Sequence, residues 1–302
     1  MTSRGWPFLL LLLAAALPTA EARIEQARSH LAAGRTSEAI EAFREAARAD
    51  PRSAVAHNAL GSLLNSRGFY AEALPHAEQA VALDPANARY RYNRGVVLAE
   101  HGRFAEALAD FDIAIGAHPD LTYARLERGA VRLALGQMAE ARQDWEQARA
   151  SDPQLIWTLW YPATLDILDA RYAEAAGAFD RVAAAEPGFA PAALWRVVAH
   201  GRAGHPIPVP AVASSDWPAP VLDLFRGTLS PESLLALAAE DRASGDPRRI
   251  GEAHYFIAQR ALIEGRRNEA IDHFQRALAV PAPRHVWKQS AEAELRRLTP
   301  HP

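Results

Sequence analysis

The sequence contains no cysteine, which removes disulfides, thiolate metal sites, cysteine nucleophiles and acylated cysteine anchors together. Lysine is almost as scarce. Lys288 stands alone among the basic residues, so Schiff-base or P-loop phosphate chemistry would rest on one side chain, and both are set aside. Positive charge is not in excess either: 33 Lys and Arg face 36 Asp and Glu, a formal charge of -3. With no basic field to meet a polyanion, nucleic acid is not an expected partner. The eleven histidines are scattered without HExxH or other recognisable ligand spacing. No GxSxG, dinucleotide fingerprint or paired-carboxylate motif is found. The expectation is therefore no catalytic residue, no cofactor and no metal, and a protein that is not an enzyme.

What is present starts with an address label. Arg4 precedes an apolar run from Phe8 to Leu17, followed by Pro18-Thr19-Ala20-Glu21-Ala22. Charged, apolar and small-residue regions in that order match a secretory signal peptide, with Ala20-Glu21-Ala22 as the best cleavage site and the cut after Ala22. The run is shorter than the roughly 20 apolar residues that span a membrane. The expected home is an exported one, most simply the periplasm.

The rest of the chain carries a ruler. Prolines stand at 51, 85, 119, 153 and 187, a constant spacing of 34, and each follows an apolar helical stretch. Gly34, Gly68, Gly102 and Gly136 lie seventeen residues ahead of the first four, with Ala170 the departure before the fifth. Ala39, Ala73, Ala107, Ala141 and Ala175 lie twelve ahead, each preceded by Glu. Phe43, Phe111, Trp145 and Phe179 lie eight ahead, with Ala77 in the second unit. Each unit reads as helix, Gly turn, helix and proline stop, because Gly takes the left-handed turn conformation and Pro cannot continue a helix. Gly61, Gly95 and Gly129 recur within the first helix, where the missing side chain lets the two helices of a pair approach.

These landmarks resemble the tetratricopeptide repeat family, whose unit has the same length and the same small, aromatic and proline positions. The resemblance implies an all-α superhelical solenoid in which each pair buries its apolar face against the next. Units are expected at about 20–53, 54–87, 88–121, 122–155 and 156–189, with a partial unit from 190 to Gly204. The expected organisation is a signal peptide over 1–22, the repeat array over 23–204, a Pro-rich connector over 205–220, and C-terminal helices over 221–302. That last segment holds one further unit at about 251–284 and an amphipathic capping helix over His285–Leu298. Pro162 is expected to kink or restart the first helix of its unit. The segments DWPAPVLDLFRGTLSPESLL, GEAHYFIAQRALIEGRRNEAIDHFQRAL and AEAELRRL also resemble the distal part of NlpI-type envelope repeat lipoproteins. Those proteins carry a lipobox cysteine, and this chain has none, so no lipid anchor is expected.

In the tetratricopeptide family the first helix of each pair lines a concave groove. Carried onto this sequence, the groove positions are Asn58, Ser62, Asn65, Arg89, Tyr92, Asn93, Tyr123, Glu127, Trp157, Trp160, Tyr161 and Trp195. Tyr and Trp offer large apolar area at low entropy cost, while Asn and Arg meet backbone and carboxylate groups. For Trp157, Trp160 and Trp195 two readings stand: a groove floor, or packing between helices. Arg94 and Arg128 each precede an Asp by sixteen residues, Asp110 and Asp144, and an ion pair within the unit is expected. The implied partner is a protein or peptide, with self-association through the solenoid ends a further option. The resemblance points to a non-catalytic scaffold or adaptor of the bacterial cell envelope, its partner a cell-wall hydrolase or protease. The alternative is a co-chaperone or assembly subunit for envelope polysaccharide or protein secretion.

Overall fold

The computed structural model describes residues 19–207, 209–210, 217–240, 248–282 and 285–299. The apolar run Phe8–Leu17 and much of the Pro-rich stretch lie outside them. Among the described residues there are sixteen helices and no strand. They pair as α1 (Ala20–Ala32) with α2 (Thr36–Ala49), α3 (Ala54–Ser66) with α4 (Tyr70–Leu83), and α5 (Ala88–Glu100) with α6 (Phe104–Ala117). The series continues with α7 (Thr122–Ala134) and α8 (Met138–Ser151), α9 (Ile156–Leu168) and α10 (Tyr172–Ala185), then α11 (Ala190–Arg202). Two short helices, α12 (Ala219–Arg226) and α13 (Pro231–Glu240), lead into the pair α14 (Arg248–Ile263) and α15 (Arg267–Leu278), and α16 (Val286–Leu298) closes the chain. The solenoid is all-helical.

The turns follow the punctuation. Gly34, Gly68, Gly102, Gly136 and Gly265 sit at φ between 71° and 81°, and Ala170 holds the same place at φ 58°. A left-handed conformation costs an L-residue about 1–2 kcal/mol, so the fifth turn is kept by its packing and not by its residue. Pro162 lies inside α9, which runs unbroken from Ile156 to Leu168. The expected restart does not occur, because one lost backbone donor is outweighed by the burial of Trp160, Ala163, Leu165 and Ile167 on the same helix. At the other end, Thr19 caps α1 by accepting from the Ala22 amide at 3.2 Å. The expected cut after Ala22 therefore falls in the first turn of this helix.

Each pair is closed by a small residue facing a fixed partner. A Cβ added at Gly95 would stand 2.8 Å from the Phe111 ring, and one at Gly129 only 2.4 Å from Trp145 Nε1. Trp145 cannot retreat, since it is fully buried and donates from Nε1 to the Leu126 carbonyl at 3.1 Å. In the second unit Ala77 stands where the ring would be, and a Cβ added at Gly61 would stand 3.1 Å from the Ala77 nitrogen of the α4 backbone.

Polar groups inside the array are paired along one register. Asp110, 1% exposed, takes both Arg94 (2.7 Å) and Arg91 (3.0 Å). Asp144, also 1% exposed, takes Arg128 (2.6 Å) and Arg132 (2.8 Å). Arg94 and Arg128 thus serve the structure, and the bond to Asp110 raises the Arg94 pKa further above its ordinary value. In the second unit the places of Arg91 and Asp110 are held by His57 and His76, whose Nδ1 atoms are 3.0 Å apart. The same exchange recurs between α14 and α15, where His254 and His273 have Nδ1 atoms 2.9 Å apart.

The C-terminal helices fold back along the turn edge of the array. Glu294 on α16 is 1% exposed and meets Arg202 of α11 at 2.7 Å and the Tyr172 hydroxyl of α10 at 2.5 Å. Arg202 also donates to Gln259 on α14 at 2.8 Å and lies 4.4 Å over the Tyr172 ring. Arg297 donates to the Leu168 carbonyl at the end of α9. Farther along the same edge, the Arg248 guanidinium lies 5.0 Å from the Tyr70 ring and 3.5 Å from Glu100.

Two stability measurements check this account. Gly129→Ala is expected to destabilise by about 1–3 kcal/mol through overpacking against Trp145. Gly177→Ala on α10, where an added Cβ meets nothing within 4 Å, is expected to stabilise by up to about 1 kcal/mol. Urea unfolding of both variants separates a packing glycine from a merely flexible one. Glu294→Ala is expected to lose about 3–5 kcal/mol, because it strands the largely buried Arg202 without its carboxylate. Its thermal unfolding would show whether the C-terminal bracing is integral to the fold.

Candidate functional site

The first helices of the units do not present one uniform groove. Between α1, α3, α5 and the start of α7 they enclose an open concavity of about 440 Å³. Its walls carry Asn58, Ser62, Arg89, Tyr92, Asn93 and Tyr123, and its floor Leu31, Phe43, Leu63 and Leu121. Six of the groove positions read from the sequence therefore converge on one place. Local structure explains how they are held. Asn87 caps α5 by accepting from the Arg89 and Tyr90 amides at 3.2 and 3.3 Å, which fixes the first turn from which Arg89 projects into solvent. Tyr92 is half-buried, its ring centroid 6.2 Å from that of Phe111.

Two amides bridge successive units across the concavity. Asn93 Nδ2 donates to Asn58 Oδ1 at 2.8 Å. The bond leaves the Nδ2 donor of Asn58 and the Oδ1 acceptor of Asn93 outside it, the two kinds of group with which an extended backbone pairs. Tyr123, 47% exposed, stands at one rim. Asn65 is half-buried, and its Oδ1 is enclosed without a protein hydrogen-bond partner. Glu127 is half-buried on the following first helix and does not line the concavity.

The aromatic half is different, and here the packing reading holds. Trp160 is 8% exposed and Trp195 5% exposed, so neither presents a face to a partner. Trp195 is covered by α14, with its ring 5.4 Å from Tyr255 and 6.1 Å from Phe256. Trp160 is enclosed between Trp157 and Tyr161, at 5.7 and 5.0 Å. Trp157 and Tyr161 are half-buried; the first packs edge-on against Phe189 at 4.9 Å, and the second stacks on Trp145 at 5.1 Å. This cluster joins α9, α10, α11, α14 and α15 in one apolar core. The sequence reading missed the apolar floor, although Leu31 occupies the same repeat position in the first unit as Asn65 in the second.

With this geometry in view the comparisons are informative. The family model for the tetratricopeptide repeat matches residues 24–87, 58–122 and 100–156. Over residues 24–156 the chain is a tetratricopeptide repeat array. Those matches span the four pairs that build the concavity and stop before the aromatic core. A solved tetratricopeptide repeat protein from Parabacteroides merdae is similar over 91% of this chain and 98% of its own, with 18% identity and a TM-score of 0.55. PilW, a widely conserved type IV pilus biogenesis factor, is similar over 72% of this chain and 98% of its own, with 18% identity and a TM-score of 0.57. Pseudomonas aeruginosa pilF is similar over 60% of this chain and 82% of its own, with 25% identity and a TM-score of 0.50. No curated protein sequence matches. The likenesses at 18% establish the tetratricopeptide fold alone.

The division into groove and core predicts opposite responses to substitution. Arg89→Ala and Tyr123→Ala, at exposed positions, should each leave unfolding free energy within about 0.5 kcal/mol of the parent. Trp160→Ala and Trp195→Ala should each lose about 3–5 kcal/mol. Urea titrations of the four variants distinguish the two roles.

Proposed function

We propose that this protein is a non-catalytic adaptor of the bacterial cell envelope that grips an extended segment of a partner protein in the concavity between α1, α3, α5 and α7. The observation that carries the reading is the Asn58–Asn93 amide bridge beside Arg89, Tyr92 and Tyr123, set over an apolar floor. Such a surface suits a peptide whose backbone meets the two amides, whose apolar side chain reaches Phe43 and Leu63, and whose carboxylate meets Arg89. Envelope placement is supported by the order of Arg4, the apolar run and Ala20-Glu21-Ala22 at the N-terminus. Among the described residues no helix is long and apolar enough to cross a membrane.

A photocrosslinking amino acid placed at Tyr123 tests this in envelope preparations, with the same probe at exposed Glu146 on α8 as the comparison. The expected result is an adduct from position 123 that is absent from position 146 and lost with Arg89→Ala/Asn93→Ala. Identical adducts from both positions would remove the groove assignment. Turnover of cell-wall or peptide substrates by the purified protein alone would remove the non-catalytic one.

A further inference from the structure

We propose that the His57–His76 and His254–His273 pairs are two divalent transition-metal sites, each clipping the two helices of one repeat through paired Nδ1 atoms. The argument starts from register. His57 and His76 are nineteen residues apart on α3 and α4, as are Arg91 and Asp110 on α5 and α6, and His254 and His273 on α14 and α15. Where one unit ties its helices with a guanidinium and a carboxylate, these two place imidazole against imidazole. The same exchange at both partners, in two units far apart in sequence, keeps the crosslink while replacing an ion pair with two metal-ligand side chains.

Tautomers and distances support ligation. The residue six beyond a stop proline donates to that proline's carbonyl in successive units: Arg91 to Pro85 at 3.0 Å, and Arg125 to Pro119. His57 takes this role toward Pro51 at 3.2 Å. A carbonyl only accepts, so the proton of neutral His57 is on Nε2 and its Nδ1 lone pair faces His76. Metal-bound histidines are oriented by such a second bond in the same way. On metal binding the Nδ1 proton of His76 is replaced by one on its own Nε2, so the neutral pair keeps its protons.

With ring centroids 5.2 and 5.1 Å apart the two Nδ1 atoms face each other nearly head to head; once each ring turns its lone pair off the line joining the nitrogens, separations of 3.0 and 2.9 Å and metal–nitrogen bonds of about 2.0–2.1 Å subtend roughly 90° at a shared ion. That bite fits adjacent positions of a square-planar or octahedral ion better than a tetrahedral one. Copper(II) and nickel(II) are therefore favoured over zinc. Neither pair has a third His, Cys, Asp or Glu positioned as a ligand among the described residues, so water fills the remaining positions.

The test uses the full chain without a histidine tag, titrated with Ni²⁺, Cu²⁺ or Zn²⁺ against a competing chelator. Two equivalents of Ni²⁺ or Cu²⁺ are expected, with zinc weaker and the Tm rising on loading. His76→Gln and His273→Gln should each lose one equivalent, with affinity at the altered site down at least about tenfold. The double variant should lose both. Electron paramagnetic resonance of the copper-loaded parent needs no variant, and two nitrogen donors per copper are expected. A double variant that keeps the parent's stoichiometry, single-nitrogen copper in the parent, or no uptake would overturn the proposal, and the last would leave two hydrogen-bonded imidazole pairs.

Discussion

The distance between the two helices of a repeat is the constraint on which the rest of this molecule depends. It is set by Gly61 against the α4 backbone, Gly95 against Phe111 and Gly129 against Trp145. Once a pair is drawn that close, the buried face of the second helix can carry a carboxylate without exposing it, and Asp110 and Asp144 each hold two arginines there. Taking a carboxylate out of water is costly unless its charge and lone pairs are met. These two tie α5 to α6 and α7 to α8. In the concavity Asn58 of α3 and Asn93 of α5 meet because the two helices present the same face to it.

A second constraint acts at the far end. An open solenoid exposes the apolar face of its last helix, and terminal caps are the usual remedy. Here α14 lies on α11 and continues the core through Tyr255, Phe256 and Phe274, while α16 braces the turn edge through Glu294. The bracing reaches the fifth turn, where Ala170 sits in a glycine's conformation between Leu168, which accepts from Arg297, and Tyr172, which donates to Glu294. The C-terminal half is thereby committed to packing, and the open concavity lies in the first four units.

This division explains what could be read from the residues and what could not. The helix pairs were legible because proline, glycine and alanine act locally, each limiting the conformation or contact distance of its own position. The polar wall of the concavity was legible through the repeat register, which carries Asn58 onto Tyr92 and Arg89 onto Tyr123. Trp195 was not, because it occupies a groove position by register and is covered by Tyr255 and Phe256, about sixty residues later in the chain. At Pro162 the restart does not occur, since the burial that holds α9 together comes from neighbouring helices. The paired histidines looked scattered when searched for metal spacings within one helix, whereas their separation of nineteen is that of facing positions on two.

The central claim is that recognition belongs to the face built by α3, α5 and the start of α7. Hydrogen–deuterium exchange, measured on the protein alone and with its crosslinked partner's segment, tests it most directly, since backbone protection reports where a ligand is held without altering a side chain. The account predicts added protection over 54–66, 88–100 and 121–127, with α8, α10 and α14 through α16 unchanged. Protection confined to the C-terminal helices or to the outer second helices would contradict it.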